Sequence, residues 1–280
     1  MDKKIAILII FFNKLSQTIE CIESFLPSGE NIYVLNNASE AVAWKMLQKK
    51  YTKKENILFF HSATNLGPAR GRNLLIEKCT EEWIFLVDND VRIRPEKSWK
   101  ALFDKKVKVT KEAAIFCPQI FNVHENSFAK PHHFTLRKGI VLLEETTARV
   151  TNYFTCCGVI IHRKIFEAYG NFDEELFAFE DYEFSIRALC SSLDEFKVYQ
   201  VPEIELIHDH QFQQKNKDKK AVLERYNEKK IEASMQRVMD KHGVIFEHHW
   251  QWWTKRQVAE MTGKTLLQKI KRGVTGLIGR

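Results

Sequence analysis

The sequence has no apolar run near the roughly 18 residues a membrane-crossing helix needs. It also has no Cys-x-x-Cys pair and no internal repeat, and its one compositionally biased stretch is the Lys-rich QQKNKDKK at 213–220. The first absence argues against a membrane span. The opening MDKKIAILIIFFNK joins a basic flank to an apolar run, but it lacks a small-residue cleavage site and is interrupted at Phe11-Phe12-Asn13, so Ile5 to Phe11 reads as a buried strand rather than an export signal. The second absence bears on the six cysteines (Cys21, Cys79, Cys117, Cys156, Cys157, Cys190). They form neither a metal-binding spacing nor a disulfide framework, and are expected as reduced thiols of a cytoplasmic protein. What is present is ordinary for a globular chain of 280 residues: 44% apolar and 28% charged, room for one large domain or one domain with a substantial appendage.

The net charge of +7 is unevenly spread. Residues 211–280 carry 16 Lys+Arg against 7 Asp+Glu, whereas residues 1–210 carry 27 against 29. That shift sets the expected domain boundary, with an α/β domain over 1–212 and a basic helical extension over 213–280. QQKNKDKK reads as a solvated hinge opening a long helix that runs to about His242.

Along the first part, strand-like runs alternate with helical patterns. Ile5–Phe11 precedes a helix over 15–25, with Ile19, Ile22 and the following Leu26 spaced for one face. NIYVL (31–35) is a second strand, 41–50 a second helix, NILFFHS (56–62) a third strand, and residues 70–79 a third helix after a glycine-containing loop. This order predicts βαβ units and a mainly parallel sheet flanked by helices. Ligands of such sheets bind beyond the carboxyl ends of the strands, so Asn13, Asn36, Asn65 and the pair Asp88/Asp90 are expected on one rim. Further on, AAIFCPQIF and GIVLLEE read as strands with NVHENSFAKPHHF between them as a loop. Residues 155–161 read as a strand, followed by a short helix to Gly170 and a helix over EDYEFSIRAL with Glu180 and Asp181 in its first turn.

The stretch WIFLVDNDVRIRP (83–95) poses the chemical question. Five apolar residues read as a buried strand, closed by two carboxylates around Asn89. Asp and Asn often close strands by bonding the turn that follows. Two carboxylates at a buried end, however, repel each other and lose hydration unless a cation, a metal or a set of donors lies between them.

Five segments in order resemble the family 2 glycosyltransferases, inverting enzymes of the GT-A (Rossmann-like) fold, from about Ile5 to His210. ILIIFFNKLSQTIECIESF is similar to that family's opening strand and helix. IYVLNNAS is similar to the strand whose end receives the nucleoside. NLGPARGRNLLIEKCTEEWIFLVDND is similar to its Asn-x-Gly, Ala-Arg-Asn and Asp-x-Asp succession, with Gly71 in place of the Ala. CGVIIHRKIFEAYGNFDEELFAFEDYEFSIR is similar to the acceptor-side block ending in Glu-Asp, and IELIHDH to a late strand bearing a His.

The resemblance implies a nucleotide-sugar donor and a divalent metal, Mn2+ or Mg2+, bridging the donor's phosphates. It implies Asp90 as metal ligand, Asp88 near the ribose or reaching the metal through water, and His208 as second ligand with His210 as the alternative. Arg72 is implied near the phosphates, Asp181 as the base that deprotonates a saccharide or lipid-linked acceptor, and Glu180 as the residue orienting acceptor or base. Asn36 stands where the family usually has Asp; its amide matches the donor/acceptor edge of uracil, and UDP is the expected nucleotide. Surface polysaccharide or glycan assembly is the expected setting.

Three other readings fit less well. A haloacid-type phosphatase shares the apolar run and Asp-x-Asp, but wants Thr or Val where Arg92 stands. A nucleotide-sugar pyrophosphorylase needs a Gly-rich, Arg-bearing loop where FFNKLS stands. A sugar- or nucleotide-binding module without catalysis is opposed by the joint presence of Asp88, Asp90, Asp181 and His208.

The tail carries WQWWTKRQ and then an apolar stripe of Leu266, Leu267, Ile270, Val274, Leu277 and Ile278, with Lys264, Lys269, Lys271 and Arg272 largely off it. Residues 255–280 are therefore expected to bind an anionic membrane surface, peripherally on its inner face, or to pack against the catalytic domain or a second subunit of a homo-oligomer. No segment resembles a nucleic-acid reading motif.

Overall fold

Every position of Ile5–Phe11 (β1) is apolar because both faces of the strand are covered. Ile5, Ile7, Ile9 and Phe11 point into one core layer, while Ala6 and Leu8 point into another on the opposite side of the sheet. This is how a central strand of an α/β sheet reads in sequence, as a continuous apolar run without polar alternation. The structure, a computed structural model, describes residues 5–94, 98–193, 196–209 and 227–246.

After β1 follow α1 (Leu15–Phe25), β2 (Asn31–Asn37), α2 (Ala41–Lys50), β3 (Ile57–Ser62), α3 (Gly67–Lys78) and β4 (Trp83–Asp88). Next come β5 (Val91–Ile93), α4 (Trp99–Val109), β6 (Ile115–Asn122), β7 (Ser127–Phe128), β8 (His132–Arg137), β9 (Ile140–Glu145) and β10 (Val150–Thr151). Then β11 (Gly158–His162), α5 (Arg163–Tyr169), α6 (Glu180–Leu189) and β12 (Val198–His208) complete the main sheet and its cover. The sheet runs β10-β12-β6-β11-β4-β1-β2-β3. Neighbours among β4, β1, β2 and β3 are parallel, and β11 lies antiparallel between β4 and β6. The expected mainly parallel α/β sheet with flanking helices is thus the observed architecture. α1, α2 and α4 cover one face with Ile22, Phe25, Leu47, Trp99 and Phe103; α3, α5 and α6 cover the other with Leu75, Ile165, Phe166 and Phe184.

The register decides where the chemistry sits. Ile10 is opposite Asp88, Phe11 opposite Asn36 and Asn36 opposite His61, so the carboxyl ends of β1 to β4 form one rim. The late strand β12 reaches the same rim because its end pairs with β5, His208 opposite Val91.

Four local expectations are corrected. The third helix begins at Gly67, three residues before position 70, because Pro68 suits the first helical turn and the Asn65 side chain accepts the Gly67 N–H at 2.9 Å. The strand expected from Thr155 begins at Gly158, since Thr155–Cys157 turn over before it. The stretch expected as a loop at 122–134 contains β7 and the start of β8, and β5 follows Asp-Asn-Asp where no strand was expected.

Gly158 is required by packing. A Cβ there would run into Leu206 Cδ1, and Leu206 is fully buried. Gly158→Ala is expected to cost about 1–3 kcal/mol, as overpacked cores do, seen as a lower denaturation midpoint with an unchanged m-value.

The chain divides into two compact units, Met1–Thr135 with Leu143–His210, and Leu136–Leu142 with Gln211–Arg280. In the second, α7 (Glu228–His242) buries Ile231, Ser234, Met235 and Val238 at helical spacing; Asn227 caps its start and Gly243 (φ 63°) its end. The short β13 (Ile245–Phe246) pairs with Ile140 and Val141. The expected hinge at 213–220, the tail at 255–280 with WQWWTKRQ, and His210 lie outside the described residues. Among the described residues no helix is long and apolar enough to cross a membrane.

Candidate active site

The turn after β4 is tied down from three sides. Asn89, between the two carboxylates, donates from Nδ2 to Thr18 Oγ1 at 2.9 Å and to the Asn13 carbonyl at 3.4 Å, fixing the β1–α1 loop against it. The Asp209 N–H donates to the Asp90 carbonyl at 3.0 Å, joining the end of β12 to the same turn. Gln17 on α1 donates to the Asp209 carbonyl at 2.6 Å.

These ties bring Asp88, Asp90 and His208 together, with one ligand atom from each lying within 4.8 Å of the others. Asp90 and His208 are buried, and His208 Nε2 is 3.3 Å from Asp90 Oδ1. Two carboxylates and an imidazole fit a divalent cation that accepts both oxygen and nitrogen ligands.

Two protein cations answer the charge question raised by the sequence. Lys14 Nζ lies 2.9 Å from Asp90 Oδ2. Arg72, buried on α3, donates from Nη2 to Asp88 Oδ1 at 2.9 Å and from Nη1 to Glu180 Oε1. Burial opposes its charge, but Cys156, Glu180, Asp88 and Asp181 outweigh that and raise its pKa, so the guanidinium stays charged. Arg72 therefore links the Asp-Asn-Asp turn to the first turn of α6.

That turn follows Phe179, a bulky residue in the left-handed region (φ 68°, ψ 28°). A non-glycine residue there is strained, and such strain concentrates at functional sites. Asp181 takes the Tyr182 N–H on Oδ1 at 2.9 Å, and Tyr153 Oη stands 3.5 Å from its Oδ2. Around it Tyr153, Tyr182, Phe134 and Phe179 pack edge to face, with ring centroids 5.1 to 5.4 Å apart. Burial first, and the Glu180 carboxylate second, push the Asp181 pKa up to about 7, against the pull of Arg72 and backbone donors.

The three asparagines expected at the donor are on the rim with their amides engaged in loop structure. Asn13 (φ 56°) accepts the Glu40 N–H at 3.1 Å. Asn36 accepts the Ser39 N–H at 2.9 Å, and its Nδ2 lies 2.9 Å from His61 Nδ1. Asn65 accepts from Asn37 Nδ2 at 2.9 Å and from Gly67. Lys14, Gln17, Asn89, Tyr153 and Tyr182 were not anticipated from the sequence; for Lys14, its place beside Asn13 on the predicted rim was the available signal. All six cysteines are free thiols, as expected.

The mainly parallel sheet thus carries the Asp-Asn-Asp turn and His208 at one rim. The chain matches the profile of glycosyl transferase family 2 over residues 6–170, more than half its length, and belongs to that family. Curated relatives include an uncharacterized glycosyltransferase of Rickettsia bellii, 33% identical over 92 residues, which are 32% of this chain and 13% of that one. An uncharacterized protein of Haemophilus influenzae is 33% identical over 94 residues, 32% of this chain and 51% of that one. The chain thus matches about half or less of the length of these relatives. Among solved structures, residues 1–349 of S. aureus TarS with UDP-GlcNAc superpose with a TM-score of 0.57 at 15% identity, covering 93% of this chain and 72% of that one. GalNAc-T7 with UDP, GalNAc and Mn2+ gives 0.57 at 14% identity, covering 74% and 44%. At these identities the likeness establishes the GT-A fold.

Proposed function

We propose that this protein is a metal-dependent, inverting glycosyltransferase. In this reading it moves a sugar from a nucleotide sugar, a UDP-sugar first, to a hydroxyl of a saccharide or lipid-linked acceptor in surface polysaccharide or glycan assembly. The observation that carries the reading is the Arg72 bridge: one guanidinium joins the Asp88/Asp90/His208 group to Glu180, next to a half-buried, weakly acidic Asp181. The UDP and Mn2+ held by structures of the same fold support the choice of donor and metal.

A divalent cation held by Asp90 and His208, with Asp88 beside it, would supply positive charge for the departing diphosphate. Arg72, fixed by two carboxylates, adds a forked, permanent charge beside the same site. Asp181 accepts the proton of the acceptor hydroxyl as its oxygen bonds to the anomeric carbon. The bond from that carbon to the diphosphate breaks on the opposite face, so the configuration inverts and the proton ends on Asp181. A pKa near 7 suits a general base at neutral pH. The ring cluster of Tyr153, Tyr182 and Phe179 around Asp181 offers an apolar wall for an acceptor.

The test is a panel of nucleotide sugars incubated with the protein and Mn2+, with release of nucleoside diphosphate measured. A UDP-sugar is expected to turn over fastest. Phosphate release from a colourless phosphomonoester, with no nucleotide-sugar turnover, would reject the assignment.

A further inference from the structure

Among the described residues, Lys14 is the more exposed of the two cations paired with the Asp-Asn-Asp turn. Both carboxylates of the Asp-Asn-Asp turn are already charge-paired within the protein, Asp88 with Arg72 and Asp90 with Lys14. Arg72 is held by Glu180 as well as Asp88, and its side chain is only 8% exposed. Lys14 has a side chain 26% exposed on a four-carbon stem, whereas Asp90 is 4% exposed. The contact is built into the backbone, because Asn13 and Lys14 are consecutive left-handed residues (φ 56° and 52°), a conformation L residues seldom adopt. The Lys14 carbonyl accepts the Thr18 N–H at 3.0 Å, and Thr18 Oγ1 is in turn held by Asn89, the middle residue of the turn itself. The loop is thus fastened to the turn it neutralises.

We infer that Lys14 is an internal counter-ion that competes with a divalent metal for Asp90 and thereby sets the metal affinity of the site. The inference rests on the reading of Asp88, Asp90 and His208 as the metal site. In the metal-free state the ammonium on Asp90 Oδ2 offsets the cost of a buried, unpaired carboxylate. A dication entering the cluster meets a unit positive charge at one of its own ligand oxygens, and the ammonium must swing outward. The cost of that displacement falls on metal binding, so the site holds metal more weakly than two carboxylates and an imidazole would alone. Lys14 thus acts on metal binding through Asp90 rather than as a ligand.

Binding of Mn2+ to the nucleotide-free full-length protein, followed by the electron paramagnetic resonance of free Mn2+, tests this without any turnover. Lys14→Met is expected to tighten binding by about tenfold or more, the order expected for removing a unit charge a few ångströms from a dication in a partly solvated site. Lys14→Gly, which accepts φ 52° without strain, should do the same and covers the case in which the Met variant folds poorly. Lys14→Arg, which keeps the charge, should stay near the wild-type affinity. Unchanged or weaker binding in both neutral variants, with wild-type binding intact and abolished by Asp90→Asn, would overturn the role of Lys14 alone. Absence of Asp90-dependent Mn2+ binding in every variant would overturn the metal site and this inference with it.

Discussion

Asp181→Asn is expected to lower turnover by roughly 10²–10⁴-fold, the contribution of a positioned general base, while leaving donor affinity nearly unchanged. The asparagine keeps the shape of the side chain and an acceptor for the Tyr182 N–H, but it cannot take the acceptor's proton. Loss of turnover without loss of donor binding is the signature of an interaction made in the transition state. The pH dependence gives a second readout. Because burial and Glu180 raise the Asp181 pKa to about 7, kcat/KM of the wild type should be low in acid, rise through about pH 7 and level off above it. The stability effect has the opposite sense: the folded state keeps a proton that the unfolded chain releases at an ordinary carboxylate pKa, so this group's contribution is lost as pH rises through about 7. Asp181→Asn should therefore be at least as stable as wild type at pH 8 while being nearly inactive, which separates a lost base from a misfolded protein. Near-normal turnover of the variant would move the base to another residue, Glu180 first.

Asp90→Asn is expected to remove at least about 10²-fold of transferase activity and to weaken donor binding, and excess chelator should reproduce the loss in the wild type. Changes merely adjacent to a metal ligand cost on the order of 10–100-fold in metal affinity, and Asp90 sits at the centre of its cluster. Its two oxygens face His208 Nε2 at 3.3 Å and Lys14 Nζ at 2.9 Å. The variant would also leave Lys14 without its carboxylate at that contact, so a stability measurement belongs beside the kinetics. Full activity in excess chelator would remove the metal from the mechanism.

The sheet was legible because its signal is local. β1 and β4 are buried on both faces along all but one position each, so their apolar runs could be read directly, and the helical spacings between them fixed the parallel order. The helix bearing Glu180 and Asp181 was legible for the same reason, with Phe184 and Ala188 buried at i, i+4 below an acidic first turn. β7 and β8 were not, since Ser127 and Phe128 are exposed and only Phe134 of His132–Arg137 is fully buried. Such strands exist because β6 and β9 offer them hydrogen bonds, and no apolar alternation records this in their own residues.

By itself the sequence determined the α/β class, the rim on which Asp88 and Asp90 would sit, and the family to which the chain belongs. Those follow from apolar periodicity and from motif order, properties carried by neighbouring residues. Only the tertiary structure decided how the carboxylates are neutralised. Lys14 reaches Asp90 across 76 positions, and Arg72 reaches Glu180 across 108. Those pairings depend on strand register and on two consecutive left-handed residues after β1, and they turn two awkward carboxylates into a charge-balanced site. The partners of a buried charge are chosen by burial, and burial is a property of the assembled fold.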